Sequence, residues 1–455
     1  MNIEHQIQIK RELFNANVTK SVKFRIHQLK KLKQAIMENE DKILEAVRLD
    51  LNKSAFEGFT SEIGMVYEEI NYMIKNVDKL SRMKRVSSPL ANFPSKSYIL
   101  KDPYGVVLIM APWNYPFQLA ILPLVGAIAA GNTAIIKPSE HSIHTSKIIE
   151  EMINSNFSED FISVINGDVE VNKEILNHKF DLIFFTGSVP VGKIVMEKAS
   201  KHLTPVILEL GGKSPTIIDK TAKIDLAIRR ISWGKFLNAG QTCVAPDYLL
   251  VDRSIKDKFK TRLLEHLNSM ETELTLESEY PKIINQRNFD RLISMIDQDK
   301  MIYGGKSNPK TNQIEFTVID DVCKDDEIMN DEIFGPILPI MYYDRIEEAI
   351  EYIRDNPRPL ALYLFTEDND VKNEVLKSIS FGGGCINDTI SHIINPKLPF
   401  GGVGNSGIGA YHGKESYQAF TRAKSIVERS TFIDIPLRYM AKSDLALKLA
   451  RKIMK

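Results

Sequence analysis

Several things are scarce in this sequence, and each scarcity excludes something. There is no surplus of charge: 59 lysines and arginines stand against 59 aspartates and glutamates in 455 residues, a formal net charge of zero. A general nucleic-acid binder needs excess positive charge to displace counterions from phosphates, so no nucleic-acid partner is expected. Cysteine is rare. The three present, Cys243, Cys323 and Cys385, form no CxxC pair. That argues against a zinc ribbon or a thioredoxin-type site, and no metal site is expected. A small odd count suits a reducing compartment. Long apolar runs are also missing: the longest, Leu119 to Ala130, has 12 residues with Pro123 inside it, too short to span a bilayer. The N-terminal stretch MNIEHQIQIKREL lacks the apolar core of a signal peptide. Together these absences lead to the expectation of a cytoplasmic chain. No internal repeat or low-complexity block is present.

What is present is an ordinary globular composition, 43% hydrophobic and 26% charged. Residues 5 to 80 read as helices: Leu29, Leu32 and Ile36 follow helical spacing, as do Ile43, Val47 and Leu51. A Ser- and Pro-rich connection follows, SSPLANFPSKS (87–97). From about residue 104 short apolar runs alternate with segments read as amphipathic helices. GVVLIM precedes QLAILPLVGAIAA, TAIIK precedes a segment starting near Ser139, and FDLIFFT precedes VGKIVMEKAS. Strand alternating with helix implies an α/β protein with a mostly parallel sheet covered on both faces. A second series runs from PTIID through DYLLVD to ALYLFT, with a join near Gly211–Gly212. The stretch Glu271 to Asn312 is polar and carries no clear signal.

Two phosphate-loop patterns invite a different reading. Gly187 to Lys193 matches GxxxxGK between a predicted strand and a helix. The next residue is Ile194, where a P-loop nucleotide hydrolase needs a hydroxyl for magnesium. The strand–glycine–helix turn would still suit a pyrophosphate, because a helix N-terminus offers free N–H groups. Gly402, Gly404 and Gly407 form a GxGxxG without a clear preceding strand, and read as a tight turn where backbones approach closely.

A smaller set of residues could do chemistry. Cys243 lies among small and polar neighbours, Asn238-Ala-Gly-Gln-Thr-Cys, which leave a thiol room to act as a nucleophile. Cys323 and Cys385 read as buried structural cysteines. Glu209 ends the apolar run VILEL; it reads either as an exposed strand-end acid or as a general base facing the ligand crevice of an α/β sheet. Asn114, in APWNYP, reads as a turn residue or as an amide donor to a developing oxyanion. Lys137 and Glu140, in KPSE, could bind ribose hydroxyls or phosphate or simply cap the next helix.

With these segments in place, the chain resembles the NAD(P)-dependent aldehyde dehydrogenases. The resemblance rests on APWNYPF (111–117), KPSE (137–140), FTGS (185–188), LELGGKSP (208–215), GQTCVAP (240–246), EIFGP (332–336) and PFGGVGNSG (399–407), in family order. GAYHGKESY (409–417) and the short N-terminus are most similar to the class 3 branch, which includes fatty and aromatic aldehyde dehydrogenases. The resemblance implies a Rossmann-type cofactor domain (1–82 and 103–210) and an α/β catalytic domain (211–398). It also implies an oligomerisation element (83–102 and 399–430) and a tail (431–455). It implies Cys243 as nucleophile, Glu209 as base and Asn114 as oxyanion donor. Lys137, Glu140, Thr186, Gly187, Ser188, Gly192, Leu210, Glu332 and Phe334 would hold the cofactor. That cofactor is NAD, with NADP also accepted within the branch. It further implies a homodimer.

By the same resemblance Tyr115, Thr242, Ile390, Ile393, Phe400 and His412 match substrate-funnel positions. Their mainly apolar character suits medium- or long-chain aliphatic, lipid-derived or aromatic aldehydes. The rival within the family is a semialdehyde dehydrogenase, whose ionic substrate would need a lysine or arginine in the funnel; none is identified. Residues 432–455 read as a basic amphipathic helix, with Leu445, Leu449 and Ile453 near one face and Lys448, Arg451, Lys452 and Lys455 among the rest. Such a helix can lie on an anionic membrane, here its inner face, or pack on a partner subunit. Six basic residues without an acid between Leu13 and Met37 read as a solvated helix face.

Overall fold

The runs rich in Val, Ile and Leu become parallel strands because both of their faces can be covered. In a computed structural model, which describes residues 2–270, 280–434, 439 and 443–454, Val106–Met110 and Thr133–Lys137 are buried at every position. They pair in parallel, Val106 opposite Thr133 and Met110 opposite Lys137. The first sheet runs in the order Ile162–Val164, Thr133–Lys137, Val106–Met110, Leu182–Gly187, Val206–Leu210, with Gly407–Ile408 antiparallel at the edge. Its five parallel strands therefore stand in the doubly wound order, and the winding reverses between Val106–Met110 and Leu182–Gly187. The carboxyl ends of these two strands open the crevice where such sheets bind ligands.

The second sheet has seven strands. From one edge they are Met301–Tyr303, Thr317–Ile319, Ile337–Tyr343, Tyr248–Asp252, Pro215–Ile218, Ala361–Phe365 and Gly383–Ile386. Only the Met301–Tyr303 edge is antiparallel. A third sheet joins distant parts of the chain: Ser95–Pro103 pairs with Lys84–Val86 and, over nine residues, with Thr421–Arg429. Ile426 and Val427 on its outer strand are exposed.

Four sequence expectations are corrected here. QLAILPLVGAIAA is a helix, Gln118–Ala130, but it is buried on all sides rather than amphipathic. The first sheet covers one face and the N-terminal helices Val22–Glu38 and Gly64–Ser81 cover the other. The basic N-terminal run is not wholly solvated. Arg25 is buried and donates to the carbonyls of Thr19 and Ala129, closing the C-terminal end of that central helix. Cys323 is exposed, because it lies on a loop beyond Thr317–Ile319 where Asp326 accepts from its N–H. The stretch read as uninformative contains the helix Gln286–Ser294; residues 271–279 within it lie outside the described residues.

The tail forms a helix, Asp444–Met454, with Leu445 and Leu447 exposed. The side chains of Leu449 and Ile453, and Lys455, lie outside the described residues. Among the described residues, no helix is long and apolar enough to cross a membrane.

Candidate active site

A cavity of about 430 Å³ opens at the reversal point of the first sheet, between it and the second. Cys243 reaches it through a strained turn. After the helix Ile224–Phe236, Asn238, Ala239 and Gly240 all take left-handed backbone conformations, with φ of 53°, 49° and 73°. A side chain at Gly240 would meet the carbonyl oxygen of Gly335 at 2.2 Å, so glycine is what lets this turn pack on the EIFGP loop. Gln241 then locks the turn, donating to the carbonyls of Asn238 and Lys282 and accepting from the N–H of Ile284. Cys243 is half-buried. Withdrawal from water, with Glu332 and Glu209 nearby, pushes its thiol up to about 12.

Glu209 is not an exposed strand end. It is buried, lines the cavity, and neither carboxylate oxygen has a hydrogen-bond partner among the described residues. Burial alone pushes its carboxyl well above the usual range. Asn114 lines the same cavity from the end of Val106–Met110. Its amide donates one N–H to the carbonyl of Gln241 at 3.0 Å, which ties it to the Cys243 turn and leaves the second N–H free to donate. Tyr115 and Thr242 share a 2.6 Å hydrogen bond between their hydroxyls.

Glu332 and Phe334 form the opposite wall. Burial, then the charge of Asp247, pushes the Glu332 carboxyl up to about 8. A side chain at Gly211 would meet a Glu332 oxygen at 2.0 Å, so the glycine of LELGG makes room for this carboxylate. Phe334 has φ of 50° and packs edge-on against Trp113, 5.4 Å between ring centroids. Thr186, Gly187, Ser188 and Leu210 line the cavity as well. Among the described residues the buried Thr186 hydroxyl has no hydrogen-bond partner, and Ser188 begins the helix Val189–Ser200 without capping it through its side chain. Donors are thus left over where a pyrophosphate would lie.

Ile390, Ile393, Phe400 and His412, expected at substrate-funnel positions, also converge on the cavity. The His412 ring stacks on Phe400 at 5.2 Å, and burial pushes it down to about 4, so it is neutral at pH 7. Ile390 and His412 hold positive φ values of 61° and 78°, a costly conformation for a β-branched residue above all.

Three expected residues do not line this cavity. Lys137 donates to the carbonyl of Pro138 at 2.7 Å and pairs with Glu140 at 3.7 Å, at the end of the strand beside Val106–Met110. Burial lowers the Lys137 ammonium pKa. Gly192 faces Leu210, whose side chain would lie 2.6 Å from an added Cβ.

The cavity also takes residues that the sequence reading missed, among them Trp113, Met65, Trp233, Tyr411 and Arg291. Trp113 lay inside a motif already singled out, so its neighbours could have flagged it. Arg291 lay in the stretch without signal. It lines the cavity on the Glu332 side, with its guanidinium engaged: it donates to the carbonyls of Glu332 at 3.3 Å and Ile333 at 2.7 Å.

The chain is similar to known proteins over nearly its whole length. The aldehyde dehydrogenase family model matches residues 1–426. The 4,4'-diaponeurosporen-aldehyde dehydrogenase of Staphylococcus aureus (strain NCTC 8325 / PS 47) is 48% identical over 435 residues, 95% of each chain. Aldehyde dehydrogenase family 3 member A2 of Rattus norvegicus is 43% identical over 423 residues, 93% of this chain and 87% of that one. The solved structure of the substrate bound state of Staphylococcus aureus AldH is 47% identical, with a TM-score of 0.96 and 100% of both chains covered. The P-loop hydrolase and semialdehyde readings find no support in these matches. The chain belongs to the aldehyde dehydrogenase family, in its class 3 branch, and is an NAD(P)-dependent enzyme that oxidises aldehydes to carboxylic acids.

Proposed function

We propose that Cys243, Glu209 and Asn114 carry this oxidation on medium- or long-chain, lipid-derived or aromatic aldehydes. The observation that supports it best is the convergence of a thiol, an orphaned buried carboxyl and a free amide N–H on one largely apolar cavity. The Cys243 thiol gives up its proton to solvent, and the thiolate adds to the aldehyde carbonyl carbon. The oxyanion that forms is held by the Asn114 amide and the Cys243 backbone N–H. A bound oxidised nicotinamide would supply the hydride acceptor, and loss of hydride from the thiohemiacetal on Cys243 would leave a thioester there. Glu209, deprotonated for this step, takes a proton from water as that water attacks the thioester carbonyl. The acid leaves and the Cys243 thiol is restored. The covalent route is needed because an aldehyde is a poor hydride donor until a nucleophile adds to it.

The residues present fit a dinucleotide. The unpartnered Thr186 hydroxyl, Gly187, Ser188 and the N-terminus of Val189–Ser200 would face its pyrophosphate. Leu210 and Gly192 shape the wall behind it. Glu332 and Phe334 would hold the nicotinamide ribose and ring, and Lys137 with Glu140 the adenosine ribose. The acid at Glu140 opposes a 2′-phosphate, which favours NAD over NADP on charge grounds.

The rest of the chain follows the same reading. The cofactor domain is 1–82 with 103–210 and the catalytic domain 211–398. The element 83–102 with 399–430 joins two copies into a homodimer: its outer strand, Thr421–Arg429, leaves a ladder of backbone groups open for pairing. The tail, 432–455, lies on an anionic membrane surface, the inner face of a cytoplasmic membrane, which would bring lipid aldehydes to the funnel.

An absorbance assay of NADH formation tests the substrate class. Across a panel from acetaldehyde to long-chain and aromatic aldehydes, with NAD and NADP in parallel, kcat/KM should rise by at least about tenfold from acetaldehyde to medium chains, since each buried methylene contributes about 0.8 kcal/mol. A preference for acetaldehyde or for charged semialdehydes would contradict it.

A further inference from the structure

The proposed mechanism uses Asn114 but does not explain what aims it. Two charged side chains far back in the chain hold it from behind. Lys53 and Glu62 form an ion pair of 2.7 Å, and both side chains are entirely removed from solvent. Breaking such a pair leaves an uncompensated buried charge, so it is a costly feature for a helical surface segment to keep.

What the pair touches gives it a purpose. The Lys53 ammonium donates to the backbone carbonyl of Asn114 at 3.0 Å and sits 3.8 Å above the centre of the Tyr115 ring. The other Glu62 oxygen accepts the N–H groups of Phe117 at 3.1 Å and Gln118 at 2.9 Å, at the start of the buried helix Gln118–Ala130. Glu62 therefore supplies that helix with the cap its own sequence lacks. It can do so because residues Phe59–Ile63 form a π-turn. On that turn Thr60 and Ser61 line the cavity while Glu62 is buried behind it.

The same carbonyl of Asn114 also accepts from the Asn238 amide at 2.8 Å, and the N–H of Asn238 donates to Glu57 at 2.7 Å. Asn114 is thus held at its carbonyl by Lys53 and Asn238 and at its amide by Gln241. Beyond their own pairing, the hydrogen bonds of Lys53 and Glu62 among the described residues end on the backbone of residues 114–118.

We infer that Lys53 and Glu62 are positioning residues that fix the Asn114 amide against the Cys243 turn, so that oxyanion stabilisation depends on a buried ion pair outside the cavity. This rests on the oxyanion role proposed for Asn114.

A double-mutant cycle separates the two. Lys53→Met, Asn114→Ala and their combination are compared by the rapid-mixing rate of NADH formation and by NAD binding, followed through protein fluorescence. Lys53→Met should slow NADH formation about tenfold or more with the NAD dissociation constant within about twofold, and should add less than about twofold in the Asn114→Ala background. An equal effect of Lys53→Met in both backgrounds, or none in the parent, would overturn the inference while leaving the role of Asn114 intact. An unchanged rate in Asn114→Ala alone would overturn the oxyanion reading and this inference with it. If Lys53→Met is insoluble, the paired replacement Lys53→Met with Glu62→Met removes both charges without leaving one unpaired, and carries the same cycle and the same outcomes.

Discussion

The apolar surroundings of Cys243 and Glu209 disfavour the charged form of each side chain. A thiol pushed up to about 12 by burial and by Glu332 and Glu209 holds almost no thiolate at pH 7. One consequence is measurable without cofactor. Alkylation of Cys243 by iodoacetamide should accelerate about tenfold per pH unit between pH 7 and 9, because each unit below the pKa costs a factor of ten in thiolate. Peptide mass spectrometry must resolve the site, since Cys323 is exposed and will react independently. A rate already level at neutral pH would show a thiolate held by the apo enzyme and would contradict this account. Glu209 was partly legible before the structure: an acid ending an apolar strand has few reasons to be there. Arg291 was not, because nothing in a polar stretch distinguishes an arginine that clamps two carbonyls from one in solvent. The positive φ values at Ala239, Phe334, Ile390 and His412 were also invisible, since only glycine and asparagine advertise such backbone.

Among the elements, the strands were the most legible and the central helix the least. Parallel strands buried on both faces read as unbroken apolar runs, as Val106–Met110 and Thr133–Lys137 do. Gln118–Ala130 is just as apolar, and its sequence does not say that two further helices cover its outer face. The capping of that helix by Glu62, 56 residues before Gln118, is a tertiary fact with no local signature. The third sheet and the tail carry separate roles in this account, and a truncation after Ser430 separates them. The shortened chain should remain a dimer in sedimentation analysis, because Thr421–Arg429 is intact, and should lose binding to vesicles containing anionic lipid at low salt. A monomeric product, or equal pelleting of both forms, would assign the tail to the subunit interface or to solvent instead.

At the scale of the molecule, zero net charge proves to be an average over unlike parts. The cavity walls are largely apolar with a few buried carboxyls, while basic residues gather in the N-terminal helices and the tail. The two large parallel sheets place the carboxyl end of Val106–Met110, the end of Val206–Leu210 and the Cys243 turn around one space, and the chemistry follows from that meeting. The central claim is that Cys243 carries the acyl group and Glu209 releases it. Rapid mixing of the Glu209→Gln variant with NAD and a medium-chain aldehyde tests it most directly. A burst of NADH approaching one per active site is expected, then turnover reduced by about 100-fold or more, with the acyl mass found on the Cys243 peptide. Steady-state turnover equal to the parent enzyme, with no acyl adduct on Cys243, would contradict it.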